Sequence, residues 1–406
     1  MKTLKVLSVV GARPNFMKIA PFVRAVRARN EAGEGSLRID HVLVHTGQHY
    51  DVEMSRAFFE ALDIPEPDVN LEVGSGSHAE QVGRTMMELE KVLKERKPDW
   101  VVVVGDVNAT CAASITAKKE WVRCAHIEAG LRSGDWTMPE EVNRVVTDRL
   151  SDLLLTPCRF STENLEAEGA GKDRIRLVGN IMIDTLESQR LRAEELDGSE
   201  VLRENLWEGR KLPSKDAMKA FEAGDFALMT LHRPSNVDDP AILGPLVSLL
   251  TDEASRRLPL LWPVHPRSVA QLKRFGLWNR VMEADRLVLL RPLGYRQLLK
   301  LNMEARIMLT DSGGLQEECC VLGTPCLTLR WNTERPATLR EHGGTCVLVG
   351  NDVERVREEL FRTVVMERKP ARPELWDGRT AARAVEALVE AEKNLRSSSS
   401  KGNPRP

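Results

Sequence analysis

The sequence predicts an α/β protein built from two doubly wound parallel sheets that face a cleft. Three observations carry this reading. Short β-rich apolar runs alternate with amphipathic segments of roughly 10–20 residues from one end of the chain to the other, the pattern of parallel strands joined by crossover helices. The run Val101–Val104 consists only of valine, which marks a strand buried on both faces. The periodicity then weakens into the charged stretch LDGSEVLRENLWEGRKLPSKDAMKAFEAGD and restarts at Phe226, which divides the 406 residues into two units.

In the first unit the strands are expected at Lys5–Val10, His41–Thr46, Trp100–Gly105, Cys124–Glu128, Leu153–Thr156 and Ile175–Val178. Helices fit between them, among them Asn15–Arg29, His78–Glu95 and Glu140–Leu150. The second unit repeats the rhythm with strands at Phe226–Leu231, Leu258–Val264, Leu287–Leu290, Ile307–Thr310, Cys326–Leu329 and Cys346–Val349. The expected layout is a first domain over 1–190, a second over 191–370, a helix within 371–395 that packs back on the first domain, and a tail at 396–406. That tail, SSSSKGNPRP in its last ten residues, has nothing to bury and is expected to be disordered.

Composition narrows the function. The 58 Lys+Arg and 60 Asp+Glu are spread along the chain for a net charge of -2, so neither a dedicated nucleic-acid binder nor a polybasic membrane protein is indicated, while a local anion pocket remains open. No apolar run approaches the length of a membrane span. The start, MKTLKVLSVVGARPNFMK, lacks a small-residue cleavage site after its apolar run and reads as a first core strand. Seven cysteines without a C-x-x-C pair read as reduced, buried thiols of a cytoplasmic protein.

Ligands of doubly wound sheets bind beyond the carboxyl ends of the strands, so polar residues just after strands are the candidates. After the first strand, GARPNFMK offers a glycine turn, Arg13, and a helix start bearing Lys18, which suits a phosphate group or a solvated basic helix start. The strand VVVVGD ends in Asp106 and CAHIEAGLRS ends near Glu128. Two carboxylates from consecutive strands can form a proton-transfer pair. Each also has a plainer reading, Asp106 as a helix cap and Glu128 as the partner of Arg132. In MPEEVNR, Glu141 reads as a partner of the helix dipole, whereas Glu140 and Arg144, four apart, share a face and could point together into the cleft.

In the second half, TLHRPSN supplies His232 and PVHPR supplies His265, each either structural or functional. IMLTD runs into SGGLQEE, where Ser312, Gly313 and Gly314 open a helix to an anion and a glutamate one turn in can accept from ribose hydroxyls. NTERPATL places Arg335 where it could join a phosphate cluster. With no G-x-G-x-x-G, no P-loop and no dense histidine spacing, neither a nicotinamide cofactor nor a metal is called for. The residues read together as a nucleoside-diphosphate site with carboxylates facing its other end.

The strings GARPNFMK, HTGQHYD, GDVNAT, HIEAGLRS, MPEEVNR, GN-x-x-x-DTL, TLHRPSN, DSGGLQEE and TERP follow one another in the order found in the non-hydrolysing UDP-N-acetylglucosamine 2-epimerases, and the chain resembles that family from about Val6 to Gly350. The resemblance implies two Rossmann-like domains of glycosyltransferase-B-like fold, a homodimer, no cofactor, and inversion of C2 of UDP-N-acetylglucosamine through a 2-acetamidoglucal. It implies catalytic roles for Asp106, Glu128, Glu140 and His232. Arg13 and Lys18 would join His232 at the diphosphate, Arg144 would lie near the sugar, and Ser312, Gly313, Gly314 and Glu318 would form the UDP pocket, with Glu318 on the ribose. Departures are Ala109 for a common serine, Ala337 for a common glutamate, Cys346 for a common asparagine, and the continuation His49–Tyr50 after Gln48. The alternatives are an epimerase of a modified UDP-2-acetamido sugar, a hydrolysing relative, a retaining glycosyltransferase, or a nucleotide-sugar-binding regulator without turnover.

Overall fold

In the computed structural model the described residues are 2–33, 37–47, 66–210 and 212–399, without the side chains of 13, 14, 398 and 399. The chain forms two compact units, Met1–Thr185 with Glu374–Pro406, and Leu186–Pro373.

The first unit is built on seven parallel strands: β1 (Lys2–Val10), β2 (Leu37–His45), β3 (Val69–Asn70), β4 (Trp100–Val104), β5 (Arg123–Ile127), β6 (Leu153–Thr156) and β7 (Ile175–Leu177). Their order is β3-β2-β1-β4-β5-β6-β7. The valine run of β4 explains itself in section. Val102 and Val104 enter a core with Phe16, Ile19 and Phe22 of the helix Arg13–Ala32, and with Val385 and Leu388 of the helix Thr380–Ser399. Val101 and Val103 face the other way, onto Leu89 and Leu93 of the helix His78–Arg96 and Ala113 and Ala117 of the helix Asn108–Lys119. A strand covered by helices on both faces has no polar side, so alternation disappears.

The helix Thr380–Ser399 belongs to this first unit although it lies at the end of the chain. Asp184 accepts hydrogen bonds at its start from the backbone of Thr380 (3.0 Å) and Ala381 (2.7 Å). It runs on to Ser399, past the point at which a disordered tail was expected to begin. The residues beyond lie outside those described.

The second unit holds six parallel strands: β8 (Ala227–Thr230), β9 (Leu260–Pro263), β10 (Leu287–Leu290), β11 (Ile307–Thr310), β12 (Cys326–Thr328) and β13 (Cys346–Leu348), in the order β10-β9-β8-β11-β12-β13. Both sheets therefore reverse direction once, between β1 and β4 and between β8 and β11. In open α/β sheets that reversal, at the carboxyl ends of the strands, is where loops part and a ligand fits. All seven cysteines are free and buried, and among the described residues no helix is long and apolar enough to cross a membrane.

Candidate functional site

In the first unit the segments following β1, β4 and β5 converge. Asn15, in the first turn of the helix Arg13–Ala32, accepts from the backbone of Gly11 (3.2 Å) and Ala12 (3.3 Å) and donates to the carbonyl of Val104 at the end of β4 (2.8 Å). The turn after β1 is thereby fastened to the neighbouring strand. One turn on, the buried ammonium of Lys18 is paired with the buried carboxylate of Glu128. The Arg13 side chain lies outside those described, as do Gln48, His49 and Tyr50.

Gly105 sits between these groups at φ 69°, and a Cβ there would lie 3.0 Å from Lys18 Nζ and 3.4 Å from Glu128 Oε2. Only glycine gives both the left-handed backbone and the room. Asp106 follows, half-buried, with one oxygen 2.5 Å from Nη1 of Arg144. The Arg144 guanidinium is almost wholly buried and is shared with Glu141, through Nη2 at 2.8 Å and Nε at 3.1 Å. Asn143 donates to the Asp106 carbonyl (2.9 Å).

Two expectations change here. Arg144 turns to Asp106 and Glu141 rather than to Glu140, because the i,i+3 neighbour Glu141 points inward and the carboxylate of Asp106 arrives from the next strand. Glu141 is more than a dipole partner: it accepts from Ser133 and Gly134 backbone amides at 3.0 and 2.9 Å, bracing the loop ahead of its own helix. Burial pushes its carboxyl upward, but those amides and Arg144 outweigh burial and hold it below its ordinary range. Glu140 is half-buried, with no ion pair or hydrogen bond among the described residues. Arg132 is paired with Asp148 and Glu168, so Glu128 has Lys18 as its cation instead.

In the second unit, the segments after β8 and β11 meet across the sheet reversal. Asp311, fully buried, receives the backbone N–H groups of His232 (2.9 Å) and Arg233 (2.7 Å) on one oxygen, and its other oxygen lies 2.9 Å from His232 Nδ1. Burial pushes the Asp311 carboxyl upward, yet the hydrogen bonds and charge of His232 prevail and hold it low. His232 is thus oriented through Nδ1, leaving Nε2 for a ligand. The His265 ring lies 5.4 Å away, and partial burial, then the neighbouring His232, keep its imidazole below the usual range.

Beyond Asp311, Ser312 is the N-cap of the helix Gly313–Leu322 and spends no side-chain bond on capping. The first amides of that helix lack intrahelical partners and, with the helix dipole, suit an anion. Glu318, one turn in, is buried. Burial raises its carboxyl to about 7, opposed by the neighbouring Tyr295 and Asn302 and reinforced by Glu317. Arg335, also buried, pairs with Glu317 (2.9 Å) and with Glu334, which is in turn held by Arg330 (2.7 Å). This lattice fastens the TERP segment to the helix. Among the described residues no group of His, Cys, Asp and Glu could hold a metal ion.

Sequence reasoning missed Asn15, Asp148 and Asp311. Asp311 was detectable by the rule that found Asp106, since it ends a strand adjacent to the one that delivers His232.

A family model described as UDP-N-acetylglucosamine 2-epimerase matches residues 31–389. The chain is 38% identical over 354 residues, 87% of its length and 89% of the relative's, to the UDP-N-acetylglucosamine 2-epimerase of Methanococcus maripaludis. It is 36% identical over 365 residues, 89% of its length and 94% of the relative's, to the UDP-2,3-diacetamido-2,3-dideoxy-D-glucuronate 2-epimerase of Pseudomonas aeruginosa. Its fold is similar to the crystal structure of the Methanocaldococcus jannaschii UDP-GlcNAc 2-epimerase in complex with UDP-GlcNAc and UDP, with a TM-score of 0.80, 36% identity, and coverage of 95% of this chain and 100% of that one.

Proposed function

The chain belongs to the UDP-N-acetylglucosamine 2-epimerase family, and from that premise we propose that it converts UDP-N-acetylglucosamine to UDP-N-acetylmannosamine by eliminating UDP and adding it back. The proton on C2 of the sugar is weakly acidic, and its removal becomes feasible when the C1–O bond to UDP breaks at the same time. The C2–H electron pair becomes the C1=C2 bond of a 2-acetamidoglucal and the C1–O pair leaves with UDP. In the return step a UDP oxygen re-forms the bond to C1 and a proton reaches C2 from the opposite face. No electron is gained or lost overall, so no redox cofactor is needed.

The observation that carries this reading is the pairing of Asp106 and Glu128 at the ends of adjacent strands, each against a buried cation, Arg144 and Lys18. Proton removal and redelivery need more than one acid/base group, each contributing roughly 10²–10⁴ in rate. Asp106, Glu128 and Glu140 are the carboxylates that take the proton from one face of C2 and return it on the other. Arg144 positions Asp106 near the sugar. The departing UDP carries negative charge, for which His232, Arg13, Lys18, the Ser312 hydroxyl and the amides of Gly313 and Gly314 are the receiving groups, a good donor being worth on the order of 10²–10³ in rate. Glu318 is assigned to the ribose hydroxyls, His265 supports His232, and Arg335 shapes the pocket through Glu317 and Glu334.

We further assign a cytoplasmic homodimer, for which the exposed Met87 and Trp121 offer apolar surface. A modified sugar is the second reading, favoured by the likeness to the diacetamido-glucuronate epimerase. Incubation with UDP-N-acetylglucosamine and, separately, a UDP-2,3-diacetamido sugar, both in excess chelator, tests the assignment. Conversion of the first to its C2 epimer, without accumulation of UDP and free sugar, is the expected outcome. Net release of UDP with free N-acetylmannosamine would refute it in favour of hydrolysis.

A further inference from the structure

Among the described non-glycine residues of the first unit at positive φ, Glu128 holds the largest value, 76°. Such a conformation persists only where its surroundings over-determine it. The restraint is visible two residues earlier in the same strand. His126 is completely buried, with Nδ1 2.6 Å from Asp148 Oδ1 and Nε2 2.8 Å from the carbonyl oxygen of Gly105. Both partners accept hydrogen bonds and neither donates, because Asp148 is a carboxylate that also receives Arg132 (2.7 Å) and the backbone N–H of Gly130 (3.0 Å). Burial alone would push the Asp148 carboxyl upward, but the charges of His126 and Arg132 hold it low. The ring thus spans the two, Nδ1 toward Asp148 and Nε2 toward the Gly105 carbonyl.

Each contact ends on a turn of the candidate site. Gly105 immediately precedes Asp106 and abuts both Lys18 and Glu128. Gly130, two residues after Glu128, has φ 83° and no room for a side chain, since a Cβ would lie 2.3 Å from the Ser161 carbonyl oxygen. One buried imidazole thus ties the turn before Asp106, and through Asp148 the turn after Glu128, into a single frame. Beyond Asp148, Arg132 is anchored by Glu168 at 2.7 and 2.8 Å.

We propose that His126, backed by Asp148, is a positioning residue of the epimerisation, fixing Asp106 relative to Glu128 through the carbonyl of Gly105. It touches no substrate and acts through the two carboxylates, so the proposal rests on their assignment to proton handling. The test exploits shape. Glutamine places its amide nitrogen near the position of Nε2 and keeps the bond to Gly105, whereas asparagine places it near Nδ1 and keeps only the bond to Asp148.

Turnover and KM for UDP-N-acetylglucosamine are measured for His126→Gln, His126→Asn, Asp148→Asn and Asp106→Asn, with UDP affinity by calorimetry and melting curves as controls. His126→Asn is expected to lose about 10²-fold in kcat, the scale of a misplacement near 1 Å, with KM and UDP affinity little changed. His126→Gln is expected to recover about tenfold or more of that loss. A folded His126→Asn with wild-type kcat, or Gln and Asn variants equally impaired, overturns the proposal. If His126→Asn does not melt cooperatively, Asp148→Asn decides from the other side: lowered kcat at constant KM supports the frame, and unaltered kcat overturns it. An inactive Asp106→Asn beside an unimpaired His126→Asn refutes the positioning role alone. An active Asp106→Asn refutes the carboxylate assignment, and the positioning role with it.

Discussion

Asp106→Asn is expected to lower turnover by about 10³-fold while UDP binds as it does to the unaltered protein. The amide is nearly isosteric, so the change removes charge and proton affinity without removing bulk. Arg144 is not orphaned by it, because Glu141 already holds the guanidinium through two of its nitrogens. The fold should therefore survive with a small loss, and the deficit should fall on the chemical step. UDP affinity is the internal control, since Asp106 itself is assigned to the sugar and not to the nucleotide. Steady-state turnover and calorimetric titration with UDP separate the two. Turnover within a few-fold of wild type would remove Asp106 from the reaction.

Glu318→Gln is expected to make the unliganded protein more resistant to heat, and increasingly so as pH rises from about 5 to 8. In the folded chain burial raises the Glu318 carboxyl from 4.5 to about 7. Folding then favours the protonated form, so its contribution is fully present below 4.5 and is lost as pH rises through the folded value. The cost by pH 8 is up to about 3 kcal/mol. Glutamine does not ionise, so the variant and wild type should melt together near pH 5 and diverge by several degrees at pH 8. UDP affinity should fall in the variant, since an amide is the weaker acceptor for two ribose hydroxyls. Differential scanning calorimetry at the two pH values reads the first effect, and a melting difference independent of pH would contradict it.

The features legible in the sequence are those set by local pattern. The run Val101–Val104 predicts a strand buried on both sides, and its residues do divide between two cores. The same patterning marks the strand ends from which Asp106, Glu128, His232 and Ser312 emerge. Strand β3 is only Val69–Asn70, too short to leave a pattern. Lys2 and Thr3 are both exposed and Leu37–Asp40 alternate buried and exposed residues at the starts of their strands, so the apolar runs understate their length.

Partnership across the chain was not legible. Spacing within MPEEVNR pairs Glu140 with Arg144, but the fold brings Asp106 from 38 residues away and turns the guanidinium to it. Lys18 and Glu128 are 110 residues apart, and nothing local in either segment names the other. His126 shows the same limit. Two residues ahead of Glu128 it carries no local mark of its own, and only Gly105 and Asp148, from two other elements, reveal its place in the site.

The most direct test of the account is proton NMR of the enzyme with UDP-N-acetylglucosamine in D₂O, without added metal or nicotinamide. Elimination and readdition exchange the C2 proton with solvent. The account predicts UDP-N-acetylmannosamine carrying deuterium at C2, followed by deuterium in the remaining UDP-N-acetylglucosamine as the reaction reverses. Epimerised product that retains protium at C2 would contradict it, because the configuration would then have changed without the proton ever reaching Asp106, Glu128 or Glu140.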